Sequence, residues 1–197
     1  CKLALENDEL AFRWIPNHLK TIPMCLAVVT KNVFMFKYVP DEFKTLEICN
    51  IAVKQNGMAL GYVPVPLRVE DLCLEALKTT DLFPGVLEHV PEHLKTEKMC
   101  WVAINQNISE LQYVPKELIT EDMIAKLIKM EDSSLLHYLP EEFITLQMCE
   151  IAVEKHSSYC NGSLEDIKCF IENTIPIKYW EDLKKKYLYK EEMLDGK

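Results

Sequence analysis

Apolar residues return along this chain in the same local arrangement about every 24 residues. Within one copy they stand at positions i, i+1, i+4 and i+5, which places them on a single stripe of an α-helix. The alternation of apolar and polar residues that a half-buried strand shows does not occur in these segments. The pattern therefore predicts one short helix with one buried face in each copy. Three copies show the stripe most clearly: Ile48, Cys49, Ala52 and Val53; Met99, Cys100, Ala103 and Ile104; and Met148, Cys149, Ala152 and Val153.

A proline marks each copy and stands eight residues before its stripe. The marker prolines are Pro16, Pro40, Pro64, Pro91, Pro115 and Pro140, separated by 24, 24, 27, 24 and 25 residues. A period of this length is the signature of a repeat array. Proline is tolerated in the first turn of a helix and is damaging further inside. The segment around each proline is therefore either a helix that begins there or two turns kinked there.

The residues at the two ends of the striped helix also recur. A threonine such as Thr45 stands five residues after most of the marker prolines, and threonine is a favoured N-cap. Asn32, Asn56 and Asn107 stand where the helix should stop, and Asn56-Gly57 resembles a C-terminal cap. Each copy is therefore predicted to hold two short helices, one around the proline and one that carries the stripe.

These features predict an all-α fold, a right-handed-type α-solenoid of about six short two-helix repeats with a C-terminal helical cap. The repeats cover residues 1–156, and the first copy is truncated. The period fails from about Ser157, so residues 157–197 are predicted to form the cap. A capping-box-like start at residues 163–166 predicts a helix to about Asn173. A longer charged helix is expected from about Lys178 to Leu194.

Six of the eight cysteines occupy one position of the repeat, nine residues after the proline or its equivalent. Equivalent residues on stacked helices lie roughly 10 Å apart, whereas a disulfide needs Cα atoms within about 7 Å. A ladder of small buried thiols is the favoured interpretation, because Ile124 takes the same position in one copy and cannot bind a metal. Unpaired thiols indicate a reducing, intracellular compartment.

The formal net charge of −9 narrows the classes of partner. It disfavours nucleic-acid backbones and anionic membranes and would suit a partner with a basic surface. No apolar run approaches the roughly 18 residues of a membrane span. Because the first residue is a cysteine in mid-repeat rather than a methionine, we expect the chain to be a piece of a longer protein.

The recovered consensus LxYVPxxLxTxxMCxxAVxxN resembles an uncharacterised family of short tandem two-helix repeats, a domain of unknown function. Its members contain units similar to LQYASEELRxDxxxVxxAVxxNG. The resemblance covers roughly residues 1–156 and is clearest at Leu60-Gly-Tyr62 with Pro64 and at residues 52–57. Such arrays occur in intracellular bacteria, protists and giant viruses, so the resemblance implies a secreted effector in host cytoplasm or a giant-virus protein. It implies no catalytic residues.

The sequence offers few residues that could catalyse a reaction or bind a metal. There is no phosphate-binding glycine loop and no hydrolase motif, and Cys160, which lies out of register, is the best candidate for a catalytic thiol. His89 and His93 have the spacing of two metal ligands but flank Pro91, and the group of His156, Cys160 and Cys169 lacks a fourth ligand. We therefore expect no enzyme activity, no cofactor and no metal.

Function is best sought at positions where the residue type or the spacing differs between copies. The period is longer by three residues near 79–85, and Thr79, Asp81 and Phe83 in this stretch are predicted to contact a partner, as is Trp101 beside the stripe. The aromatic residues two positions before the prolines form either a packing ladder or a stacking surface. We expect a non-catalytic scaffold that binds a protein or peptide. The alternative is a structural arm for a catalytic domain elsewhere in the parent protein.

Overall fold

The computed structural model describes residues 9–79, 85–130, 135–159 and 164–188, and every regular element in these ranges is helical. The predicted all-α class is confirmed for this part of the chain. The α-helices described are α1 (Ile22–Lys31), α2 (Leu46–Gln55), α3 (Glu70–Leu77), α4 (Glu97–Gln106), α5 (Glu121–Met130), α6 (Leu135–Tyr138), α7 (Leu146–Tyr159), α8 (Leu164–Thr174) and α9 (Trp180–Tyr187). The 3₁₀ helices are Glu9–Trp14, Asn17–Leu19, Val33–Tyr38, Asp41–Phe43, Gly57–Tyr62, Val65–Leu67, Leu87–His89, Glu92–Leu94, Ile108–Tyr113, Lys116–Leu118, Glu141–Phe143 and Ile177–Tyr179.

The chain divides into two compact units, Cys1–Pro115 and Lys116–Lys197. In the first unit α1 packs on α2, α2 on α3 and α3 on α4, while the 3₁₀ helices of neighbouring copies pack on one another. In the second unit α6 packs on α7, α7 on α8 and α8 on α9. Sequence neighbours are therefore also spatial neighbours within each unit.

The copies of Pro16 to Pro115 hold two 3₁₀ helices and one α-helix rather than two helices, and in the copy of Pro140 the short α6 takes the place of the first 3₁₀ helix. Pro40 has φ −58° and ψ 144°, an extended conformation that separates the turn Val33–Tyr38 from the turn Asp41–Phe43. This favours the kinked alternative over a helix begun at the proline. The same conformation recurs at Pro16, Pro64, Pro91 and Pro140.

The asparagine at the end of the striped helix caps two helices at once. The Asn56 N–H donates to the Ala52 carbonyl at 3.0 Å, which closes α2, and its side-chain oxygen accepts from the Met58 N–H at 2.9 Å, which opens the next 3₁₀ helix. The prediction that the helix ends here is confirmed. The left-handed glycine of a common C-terminal cap is not found, because Gly57 already belongs to the next helix. It must be glycine because a Cβ there would overlap the Ala76 carbonyl.

The predicted stripe forms the core. Its twelve clearest members, from Ile48 to Val153, are all at most 3% exposed. The thiols of Cys25, Cys49, Cys73, Cys100 and Cys149 are free and fully buried, as the ladder predicts. Ile124 does not fill the equivalent place, because it is half-buried while Met123 and Leu127 are fully buried. The fully buried face of α5 is thus narrower than the predicted stripe.

A basic residue four positions after the proline links each of the first four copies to the next. Lys20 Nζ donates to the Tyr38 carbonyl and Lys44 Nζ to the Tyr62 carbonyl, each at 2.7 Å. Lys95 Nζ reaches the Tyr113 carbonyl at 3.3 Å, and Arg68 Nη1 reaches the His89 carbonyl at 2.8 Å. Each acceptor is the last residue of a 3₁₀ helix. Such a carbonyl lacks a partner within its helix, and a cation there also suits the helix dipole.

Two of these linking lysines are buried, and each pairs with an exposed carboxylate of its own copy. Lys44 and Lys95 have side chains 7% and 5% exposed and pair at 2.7 Å with Asp41 and Glu92. In the second unit the same position holds Ile119 and Ile144, which are buried. The link between copies is therefore polar in the first unit, and apolar side chains replace it in the second.

The C-terminal region retains the proline turn although the sequence period is lost. Pro176 has φ −56° and ψ 136° and precedes the 3₁₀ helix Ile177–Tyr179. Ile175 before it is 4% exposed, like the Val, Ile or Leu before every marker proline. The predicted helix to about Asn173 is confirmed as α8, and the last predicted helix is described as α9, with residues 189–194 outside the described part. Ser163 also lies outside it.

We predict that Lys44→Ala lowers the free energy of unfolding by about 1–3 kcal/mol, because it removes a hydrogen bond to a charged donor and leaves the Tyr62 carbonyl without its partner. Urea denaturation followed by circular dichroism measures the change. Lys54→Ala is the matched control, since Lys54 is exposed on the same copy. Equal stabilities of the two variants would contradict a structural role for the buried lysine.

The buried thiols predict a loss of stability at alkaline pH. Burial raises the pKa of Cys49, Cys73 and Cys100 to about 11 and that of Cys149 to about 12. Unfolded thiols titrate near 8.5, so above about pH 9 the unfolded state binds fewer protons than the folded state and the free energy of unfolding falls. Urea titrations from neutral pH to about 10.5 should show a shallower fall for Cys49→Ala. The exposed Cys169→Ala should follow the wild type, and a Cys49→Ala profile parallel to it would contradict the prediction.

Candidate functional site

Of the predicted partner-binding residues, Trp101 and Thr79 are described, and neither lines the two grooves described below. Trp101 is half-buried on α4, and its Nε1 donates to Glu97 Oε1 at 3.3 Å. The Thr79 hydroxyl lies 2.9 Å from the Ala76 carbonyl and 3.2 Å from the Val53 carbonyl, so it ties the end of α3 to α2. Asp81 and Phe83 lie outside the described residues. Contact between these residues and a partner stays a prediction.

The aromatic residues two positions before the prolines do not form a uniform packing ladder. Trp14 is 76% exposed and Tyr62 is 52% exposed, so these two do not serve mainly in packing, whereas the other four are half-buried: Tyr38, His89, Tyr113 and Tyr138. The buried ladders run instead one and four residues before each proline. The members four residues before are Phe12, Phe36, Leu60, Leu87, Leu111 and Leu136, all at most 7% exposed. The surface aromatics are therefore available for contacts outside the core.

An open groove of about 480 Å³ lies on the 3₁₀ helices of the first unit. We call it the apolar groove. Three successive copies build it through the turns Val33–Tyr38, Gly57–Tyr62 and Leu87–His89. Phe34, which is 62% exposed, is its most prominent apolar side chain. Its walls include Phe34, Lys37, Asn56, Met58, Tyr62 and His89.

Close packing of His89 on Gly61 shapes one wall of the apolar groove. A Cβ built at Gly61 would stand 2.8 Å from His89 Nε2, so a larger residue there would push the ring away. Burial lowers the pKa of His89, and Arg68 adds to this while Glu88 and Glu110 oppose it. The ring is therefore neutral at pH 7, and this wall carries no charge.

A fully buried carboxylate holds the backbone beneath His89. Glu110 accepts hydrogen bonds from the N–H groups of Gly85, Val86 and Leu87 at 2.6, 3.0 and 2.9 Å. Gly85 has φ 104°, a left-handed conformation that suits glycine. Glu110 thus caps the 3₁₀ helix Leu87–His89, which lacks the asparagine that caps the equivalent helix in other copies. The sequence did carry a signal, because five residues before the other marker prolines the residue is apolar.

A second groove of about 470 Å³ lies between the first two copies, and we call it the cationic groove. Arg13, Lys20 and Lys37 line it without any carboxylate among its lining residues. Arg13 lies over the Trp14 ring at 4.8 Å and Lys37 over the Tyr38 ring at 5.0 Å, both measured to the ring centroid. Lys37 lines both grooves, so the two are neighbours.

The described histidines and cysteines that the sequence offered as metal ligands do not lie together as a metal site. His89 and His93 lie on separate 3₁₀ helices on either side of Pro91. The His156 ring stacks on Phe170 with centroids 4.2 Å apart, and Cys169 Sγ lies 3.1 Å from Asn173 Nδ2. Cys160 is outside the described part of the chain. In that part no three His, Cys, Asp or Glu residues gather as metal ligands would.

Comparison with known families gives one match. Residues 24–68 match the model of a domain of unknown function, DUF4116. The matched segment runs from α1 through α2 to Arg68 and includes Phe34, Lys37 and Tyr62 of the apolar groove. No curated protein and no solved structure matches the chain. Over this segment the chain is thus similar to a family whose function is unknown.

Among the described residues, no helix is both long enough and apolar enough to cross a membrane.

We predict that Glu110→Gln destabilises the protein by about 1–3 kcal/mol, because one acceptor oxygen becomes an amide facing backbone N–H donors. The substitution also removes a negative charge that raises the pKa of His89, so this pKa should fall further. NMR titration of the histidine and urea denaturation measure the two effects. Glu42→Gln, at an exposed residue of another copy, is the control. An unchanged His89 titration would contradict the assigned position of the carboxylate.

Proposed function

We propose that this chain is a non-catalytic helical-repeat scaffold of the solenoid type, and that it binds a protein or peptide in the apolar groove. The observation that carries the proposal is the groove itself, which three copies build from turns of one backbone type. Phe34 and Tyr62 leave apolar surface open to solvent there. A concave apolar site with a few polar groups is the usual form of a binding pocket.

Variation among the copies supports this choice of surface. Six residues before the successive prolines stand Leu10, Phe34, Met58, Gly85, Ser109 and Ser134. Three residues before them stand Arg13, Lys37, Gly61, Glu88, Gln112 and His137. Positions one and four residues before the prolines stay apolar and buried. The backbone therefore repeats while the chemistry that lines the groove changes, which is how repeat proteins present a specific surface.

The free, buried thiols fit a reducing compartment and need no partner chemistry of their own. Their raised pKa values make them poor nucleophiles at neutral pH. This supports the non-catalytic part of the proposal for the described cysteines. Trp101 and the stretch 79–85 remain a second possible contact surface and are tested beside the groove.

A random peptide library displayed on phage and selected on the full chain tests the proposal. We expect enriched peptides whose affinity falls about tenfold or more in Phe34→Ser, because the variant removes the main apolar contact of the groove. Isothermal titration calorimetry with the synthetic peptide measures the affinity.

The matched control is Val65→Ser, since Val65 is 61% exposed but does not line the groove. If the affinity for the peptide falls in Trp101→Ala but not in Phe34→Ser, the binding surface lies on α4 and the assignment to the apolar groove is overturned. Failure to enrich any peptide would count against the binding function.

A further inference from the structure

Lys20 in the cationic groove lacks the carboxylate that its equivalents Lys44 and Lys95 have. Lys44 pairs with Asp41 and Lys95 with Glu92, whereas Lys20 contacts the neutral Asn17 Oδ1 at 3.0 Å. Lys20 is only 6% exposed. Burial lowers its pKa, which is the response of an ammonium group removed from water without a carboxylate beside it. The first copy therefore keeps a buried positive charge that the second and fourth copies neutralise.

Two exposed cations stand at the same groove. Arg13 and Lys37 line it with Lys20, and within the described parts of the chain none of the three forms an ion pair. Each of the two exposed side chains lies over the ring of the aromatic residue that follows it. Among the described residues, three positive charges thus line this groove and no carboxylate does, although the whole chain carries −9. The local charge, rather than the net charge, decides what this groove attracts.

Lys37 lines both the cationic groove and the apolar groove, so the positive charges lie next to the apolar groove. Neighbouring copies of packed helices are spaced by roughly 10 Å, and an extended chain advances about 3.3 Å per residue. One peptide can therefore place side chains in both grooves when the two residues are about three positions apart.

We infer that the first copies bind an extended acidic peptide, with a carboxylate in the cationic groove and a large apolar side chain about three residues away in the apolar groove. The inference rests on the proposed binding function and names the chemistry of the partner. It replaces the expectation of a basic partner, which came from net charge alone. Charge-assisted hydrogen bonds from Arg13 and Lys37 supply orientation, and Phe34 and Tyr62 supply apolar contact.

A single-stranded nucleic acid is the competing ligand, since aromatic rings and cations also bind its bases and phosphates. A polyanion needs a stripe of cations that continues from copy to copy. Here the stripe ends, because the position of Arg13 and Lys37 becomes Gly61 and then Glu88. The apolar groove beyond Lys37 offers a hydrocarbon side chain a better site than it offers a phosphate.

The decisive variant is Asn17→Asp in the full chain. It gives Lys20 the carboxylate that Lys44 already has in Asp41, so the fold should tolerate it and the groove should lose its unbalanced charge. The probe is the synthetic form of the most enriched peptide from the random library, measured by calorimetry at low and at physiological salt. A second peptide with Gln or Asn in place of each acidic residue reports the contribution of the carboxylate.

We expect an acidic consensus with an apolar residue about three positions away, and a loss of about tenfold in affinity for the amide peptide and for Asn17→Asp. Arg13→Glu and Lys37→Glu should lose more. Lys54→Glu and Glu47→Gln, which alter exposed charges outside the grooves, should bind as the wild type does. Circular dichroism confirms that each variant is folded.

Other outcomes overturn the inference in distinguishable ways. A neutral or basic consensus, or equal binding by Asn17→Asp, refutes the acidic partner while the binding function stands. Tighter binding of a single-stranded oligonucleotide than of any peptide assigns the groove to nucleic acid. An absence of enriched peptides refutes both proposals.

Discussion

The first unit depends on a buried cation that reaches from one copy to the carbonyl at the end of a helix in the next. Lys20, Lys44, Arg68 and Lys95 all make this bond. A lone buried ammonium is costly to desolvate, so each lysine is also held by a side chain of its own copy. Because these bonds fix the turns before and after each proline relative to each other, they set the distance between neighbouring 3₁₀ helices. The grooves lie on these helices.

The sequence predicted the parts of the fold that depend on local periodicity. The stripe, its N-terminal threonines and its terminal asparagines all follow from contacts within about one helical turn, and Thr45, Thr96, Thr120 and Thr145 each accept the expected N–H bond at 3.2–3.4 Å. For the segment around the proline, the sequence did not decide between a helix that begins there and two turns kinked there. The packing of this segment involves the neighbouring copy, which in the first unit includes the bond between Lys44 and the Tyr62 carbonyl.

The proposed binding surface was harder to predict because residue type alone does not show which side chains face a groove. Trp101 stood out as a large aromatic residue, but it is half-buried on α4, while nothing in the sequence singled out Phe34, which is exposed. A basic residue stands four positions after the marker proline in each of the first four copies. Its role could not be read from sequence because its acceptor is a backbone carbonyl. Glu110, in contrast, could have been found as a carboxylate at an otherwise apolar position.

The central claim is that the 3₁₀ helices of the first copies, rather than the striped α-helices, form the binding face. Chemical-shift mapping by NMR with a library-selected peptide tests this most directly on the full chain. We expect the largest amide shifts at residues 13–20, 33–38 and 56–62, which line the two grooves. Shifts centred on Trp101 and α4, with the turns unaffected, would contradict the claim.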